Sequence, residues 1–211
     1  MKNYLKSILL AGIAIIAVSC SDEEDFAVVS DYIPVLIGEN YENSDTGSGS
    51  NEVAAETTGW LNVNFAETGR VWNVKEFDNN NFAEFSSFYS NAADPADEVW
   101  MITSKMNFAE TPITENLTFD CMQRYANSAV LTVLISTDFN GTVEGIQTAT
   151  WENLTVTLPA ANDVWTNSGV VDLSNYQGFE NVYVAFKYEG SKASGATTTF
   201  RLDNIRVFEN K

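Results

Sequence analysis

Histidine is absent from the 211-residue chain, and cysteine occurs only as Cys20 and Cys121. Without imidazole there can be no Ser/His/Asp or Cys/His catalytic pair and no zinc site built on histidine, which leaves carboxylate chemistry as the main remaining route to an enzyme. Basic residues are scarce, 11 Lys and Arg against 29 Asp and Glu, for a formal net charge of −18. Such a surface is repelled by nucleic acid and by anionic headgroups, so neither is expected as a partner. Long apolar runs are also lacking: the one from Ile8 to Val18 falls short of the roughly 20 residues that span a bilayer. No internal repeat is present. What the chain does have is 45% hydrophobic and 12% aromatic residues, enough to bury a core in one domain of about 150 residues.

Lys2 and Lys6 followed by the Ile8–Val18 run give the basic and apolar regions of a secretory signal. Ala17-Val18-Ser19-Cys20 resembles the lipobox of bacterial lipoproteins, which implies a signal peptide over 1–19 and Cys20 as the lipidated first residue of the mature chain. More than one acyl chain is needed for stable anchoring, each buried methylene contributing about 0.8 kcal/mol. The alternative is a signal cut near Ser19 that leaves Cys20 an ordinary residue. Ser21-Asp22-Glu23-Glu24-Asp25 resembles the export signal that places Bacteroidetes lipoproteins on the outer face of the outer membrane; it also reads as a solvated acidic run. Removing Lys2 and Lys6 leaves 9 basic residues against 29 acids, a mature charge of 9 − 29 = −20. With Cys20 taken by lipid, Cys121 has no partner for a disulfide, and in the apolar run "LTFDCMQRY" it reads as a small buried hydrophobe.

Residues 20–58 contain no basic residue and include "NSDTGSGSNE", a composition expected of a flexible stalk, with "DYIPVLIG" as a short apolar patch able to dock on the domain or on a partner. From Gly59 onward, short runs of β-branched and aromatic residues alternate with Asn, Asp, Gly and Ser clusters. Strands are expected at 60–66, 70–77, 82–88, 98–103, 116–122, 129–137, 149–158, 181–188 and 197–208. Leu131, Val133 and Ile135 share one face, as do Val182, Val184, Phe186 and Tyr188. Nine short strands of this kind predict an all-β jelly-roll sandwich over 59–211. In "TTTFRLDNIRVF" the alternation slips by one at Asp203-Asn204, which predicts either a β-bulge beside a functional site or a strand turning a sandwich corner. The Asn-Leu-Thr triplets at Asn116 and Asn153 read as strand residues.

The succession "GWLNVNFAETGRVWNVKEFDNNNFAEFSSF", "EVWMITSKMNF", "LTFDCMQRYANSAVLTVLISTDFNG", "ATWENLTVTLP", "SGVVDLSNYQGFENVYVAFKYEG" and "TTTFRLDNIRVF" resembles the choice-of-anchor J domain, related to the cleaved-adhesin domain of Bacteroidetes surface proteins. The resemblance implies a jelly roll like those of carbohydrate-binding modules, serving adhesion or glycan binding. It also implies a structural calcium ion near the first and last strands, for which Glu67, Asp94, Asp97 and Asp203 are the candidate oxygen ligands; the alternative is that they are solvated carboxylates. Glycan binding calls for an exposed aromatic platform flanked by polar groups. Trp72, Trp100 and Trp151 fall at core positions, while Tyr125 and Trp165 stand in turn-like sequence, free to be exposed or to cover a sandwich edge. No carboxylate pair is marked for glycoside hydrolysis. The expectation is a non-enzymatic, lipid-anchored protein of the outer membrane surface that binds glycan or another surface ligand. The alternative is an accessory subunit that docks on another outer-membrane protein without touching sugar.

Overall fold

The computed structural model describes residues 33–48, 51–66, 69–110 and 113–210. The signal, Cys20, the acidic run and Glu67 lie outside the described residues. The described chain forms a jelly-roll sandwich of two antiparallel sheets. In chain order the strands are β1 (Val35–Glu39), β2 (Leu61–Asn64), β3 (Asn73–Phe77), β4 (Asn80–Phe85), β5 (Asp97–Ile102), β6 (Glu115–Arg124), β7 (Val130–Ser136), β8 (Glu152–Asn153), β9 (Thr166–Asn167), β10 (Val171–Asp172), β11 (Tyr183–Gly190) and β12 (Thr199–Glu209).

One sheet runs β2-β5-β11-β7-β8; the other runs β10-β6-β12-β4-β3, with β1 also paired to β12 and β9 to β6. The long strands β6 and β12 each serve two short neighbours in succession along one edge. β4 pairs with Phe200–Leu202 and β1 with Ile205–Phe208. The tight β3–β4 hairpin turns through Asp78 and Asn79, both at positive φ (57° and 58°), the conformation of a two-residue type I′ turn that Asp and Asn tolerate.

Alternation assigns the faces. Val99 and Met101 of β5, Leu131, Val133 and Ile135 of β7, and Val184, Phe186 and Tyr188 of β11 all enter the main core, against Val74, Ala83, Phe85, Leu117, Phe119, Cys121 and Leu202 of the other sheet. The residues of opposite parity, Trp100, Ile102, Leu134, Tyr183 and Ala185, form a second buried cluster with Phe139 and Ile146. The β2-β5-β11-β7-β8 sheet is therefore covered on both faces, its outer one by the segment after β7. Among the described residues, the outer face of the other sheet carries no comparable apolar cluster.

The stalk expectation through residue 58 is corrected from residue 33 on: Val35–Glu39 is a strand on β12, Ile37 and Tyr41 are buried, and the Ala55 amide donates to the Trp72 carbonyl at 2.8 Å. The apolar patch "DYIPVLIG" drives this, since β12 offers an open edge and the core accepts Ile37 and Tyr41. The expected strand over 149–158 is laddered only at Glu152–Asn153; Leu154, Val156 and Leu158 still pack on the core as an extended segment. Cys121 is fully buried, and that burial pushes its thiol up to about 12, in keeping with a structural residue. Trp72 and Trp100 are core residues, and Trp151 packs on the second cluster.

Candidate functional site

Thr199, Arg201 and Asp203 of β12 point outward while Phe200 and Leu202 point into the core. The slip read from the sequence is a β-bulge: Asp203 pairs with Asp120 of β6, and pairing resumes only at Arg206 and Thr118. Asn204 sits at a φ of 49°, which lets Ile205 and Val207 return to the core while Asp203 and Asn204 both face out. Asp203 and Asp120 thus stand side by side on the outer face of the sheet, Asp203 almost fully buried there.

Three amides hold the pair. Asn80 Nδ2 donates to Asp203 Oδ2 at 3.0 Å, Asn204 Nδ2 to Asp120 Oδ2 at 3.0 Å, and Asn167 Nδ2 to Asp120 Oδ1 at 2.8 Å. The Asn204 amide N–H adds a bond to Asp203 Oδ1 at 2.6 Å. Burial, with the charges of Glu42 and Asp120, holds the Asp203 carboxyl above the usual carboxylate range against the lowering effect of its hydrogen bonds.

Aromatic rings flank these carboxylates. Trp165, just before β9, is 37% exposed and leans edge-on against Phe82, ring centroids 5.7 Å apart. Phe77, at the end of β3, is 68% exposed. Phe82 is itself covered on its ring face by the Arg201 guanidinium, 4.3 Å from the centroid, and Arg201 Nε donates to Glu84 Oε2 at 2.7 Å. Between Trp165 and Phe77 lies a groove of about 440 Å³, floored by Asp203, Asp120, Asn80 and Met122. Ring faces beside fixed acceptors and amide donors suit a polyhydroxylated ligand: the rings cover its C–H faces and the amides and carboxylates take its hydroxyls.

Of the expected site residues, Trp165 and Asp203 line this groove together. Tyr125 is exposed, the first of the two alternatives left open for it, but lines a different cavity with Phe88 and Tyr89. Of the calcium candidates among the described residues, Asp94, Asp97 and Asp203 are not brought together. Asp97, at the start of β5 in the opposite sheet, is buried and accepts from Asn64 Nδ2 at 2.8 Å and Ser90 Oγ at 2.7 Å. Asp94 is half-buried in the otherwise exposed loop before it, with its amide bonded to the Asn91 carbonyl. Among the described residues no group of three or more acids, cysteines or histidines is placed to hold a metal. The expectation took the strand before Glu67 as the neighbour of the last strand, whereas that place belongs to β1; β2 pairs with β5 instead. Asp120, Asn80 and Phe77 were missed, although the parity of "LTFDCM" already turns Asp120 away from Phe119 and Cys121.

No curated protein matches the chain. Among solved structures, it is similar to the K1 cleaved adhesin domain of Lys-gingipain from Porphyromonas gingivalis W83, at 19% identity and a TM-score of 0.52, covering 83% of this chain and 98% of that one. The K3 cleaved adhesin domain of the same protein gives 16% identity and a TM-score of 0.53 over 83% of this chain and all of that one (100%). The CBM22-1 xylan-binding domain of Paenibacillus barcinonensis Xyn10C is more distant, at 10% identity and a TM-score of 0.47 over 85% and 96%. At these identities the likeness to the adhesin domains is one of fold, and that to the xylan-binding domain is too low to argue from. The sequence itself is more specific: residues 83–211, more than half of the chain and the stretch that carries Asp120, Trp165 and Asp203, match the model of DUF5017, a domain of unknown function, and the chain belongs to that family.

Proposed function

We propose that this protein is a non-enzymatic binding protein of the cell surface, tethered by lipid on Cys20, that holds a glycan in the groove between Trp165 and Phe77. The observation that carries the reading is the coincidence, on the outer face of the sheet that holds β12, of exposed rings with a carboxylate pair fixed by three amides. The motif order that resembles choice-of-anchor J and the fold shared with adhesin domains support it. The carboxylates favour holding over hydrolysis: Asp120 and Asp203 lie side by side on one floor, whereas glycosidase carboxyls flank the scissile bond.

A glycan array probed with the purified full chain tests the reading. Retention of at least one glycan is expected, with Trp165→Ala weakening it by about tenfold or more through loss of the stacking ring. Failure of the folded chain to retain any glycan would overturn it in favour of the accessory-subunit alternative, as would a glycan signal indifferent to Trp165→Ala and Asp120→Ala together.

A further inference from the structure

The groove at Trp165 does not stand alone on its sheet. Thr199, Arg201 and Asp203, successive outward residues of β12, each floor a different cavity: about 370 Å³ at Thr199, 330 Å³ at Arg201 and 440 Å³ at Asp203. The cavities share walls. Tyr89 borders both the first and the second, and Phe77 both the second and the third. They therefore adjoin one another in a row along β12, whose floor alone runs about 13 Å from Thr199 to Asp203 at the rise of an antiparallel strand.

The end at Thr199 is built as firmly as the end at Asp203. Phe88 and Tyr89, 55% and 65% exposed, stand on a single helical turn with their rings perpendicular and 5.2 Å apart. That turn is fixed by the Ser87 amide donating to Tyr188 Oη at 3.0 Å, by Ser86 Oγ donating to the Thr197 carbonyl at 2.8 Å, and by Lys192 Nζ donating to the Phe88 carbonyl at 2.6 Å. Facing them, Tyr125 is 70% exposed at a φ of 52°, with the Arg124 guanidinium 5.3 Å from its ring. Asn127 secures that loop: its Oδ1 accepts from the amides of Thr197 and Thr198, at 2.8 and 2.9 Å. Rings held this rigidly yet left in water lose little entropy when a ligand covers them. Between the two aromatic ends lie ion pairs, Arg201 with Glu84 and Arg70 with Glu52, each at 2.7 Å, which present fixed donors and acceptors.

On the reading of a glycan site at Trp165, we infer that the ligand is a linear, neutral oligosaccharide chain lying along β12, stacked at one end between Trp165 and Phe77 and at the other on the Phe88–Tyr89–Tyr125 clamp. A chain is needed because a single sugar ring reaches only one end. Neutrality follows from the Trp165 end, where Asp78, Asp120 and Asp203 line the groove with no Lys or Arg among its lining residues, on a molecule of net charge −18, a field that opposes uronate or sulfate groups there; Glu52 and Glu84, farther along, are offset by Arg70 and Arg201.

The test is a binding series with the purified full chain and neutral linear oligosaccharides from monosaccharide to hexasaccharide in several linkages. For the linkage retained, the hexasaccharide should bind at least about tenfold tighter than the disaccharide. Tyr89→Ala with Tyr125→Ala should weaken the hexasaccharide by about tenfold and leave the disaccharide unchanged, while Tyr89→Phe with Tyr125→Phe keeps the rings and restores the long-chain affinity. Disaccharide and hexasaccharide bound equally, or a clamp variant that binds the hexasaccharide as the native chain does, would overturn the inference and leave the single-groove reading intact. A clamp variant that loses both lengths alike would overturn it too, by making the clamp a complete site of its own. No oligosaccharide of any length retained would overturn both.

Discussion

At the scale of single residues, Asp203 is where structure and chemistry pull against each other. It is almost fully buried beside Asp120, and burial is the main reason its carboxyl titrates above the usual range. An acid whose folded pKa is raised favours the fold at pH values below the unfolded carboxylate range near 4, where it is protonated in both states. It loses that advantage as pH rises through the folded value, because the unfolded chain releases its proton first. Asp203→Asn keeps the shape and removes the charge. Its melting temperature should exceed that of the native chain at pH 7, and the difference should shrink as pH is lowered into the ordinary carboxylate range; thermal scans across pH read this directly. A variant destabilised at pH 7 would mean that the hydrogen bonds from Asn80 and Asn204 outweigh the cost of burying the charge.

At the scale of elements, what the sequence made legible tracks how far burial depends on simple alternation. Leu131, Val133 and Ile135 on β7 and Val184, Phe186 and Tyr188 on β11 could be placed because each strand obeys period two over its whole length. The bulge could be placed too, since a defect in alternation is itself a pattern. β1 was hidden by its surroundings: a short apolar run in an acidic, Ser- and Gly-rich segment carries no sign of the distant β12 edge it completes. The two-residue strands β9 and β10 were hidden for the same reason, their pairing being set by β6 and not by their own residues. Half of the site shared this fate. Trp165 and Asp203 stood out singly, but the partnership of Asp203 with Asp120 and Asn80 depends on register between strands far apart in the chain. Whether β1 belongs to the fold can be measured. Ile37→Ala deletes a buried side chain and should lower unfolding free energy by about 2–5 kcal/mol in a denaturant titration. A stalk residue would show no change.

At the scale of the whole molecule, the acidic sandwich is expected to be held to a membrane through residues that precede it. Cys20→Ala should move the protein from the membrane to the soluble fraction or leave its signal uncut, and acylation that persists unchanged would remove the anchor. Replacing Asp22, Glu23, Glu24 and Asp25 with Ala should preserve acylation but protect the domain from protease added to intact cells; cleavage as in the native chain would show that the acidic run carries no address. The position of β1 then has a mechanical meaning. Val35 lies opposite Phe208 and Glu39 opposite Ile205, so β1 begins at the end of β12 farthest from Thr199. On the proposed anchor and the proposed ligand site, a pull on β12 at Thr199–Asp203 opposed by a pull on β1 at Val35 would act along the strands. The rungs between the two strands would then be loaded together in shear, not peeled apart one at a time, and the proposed anchor would grip the domain with the strength of all of them at once.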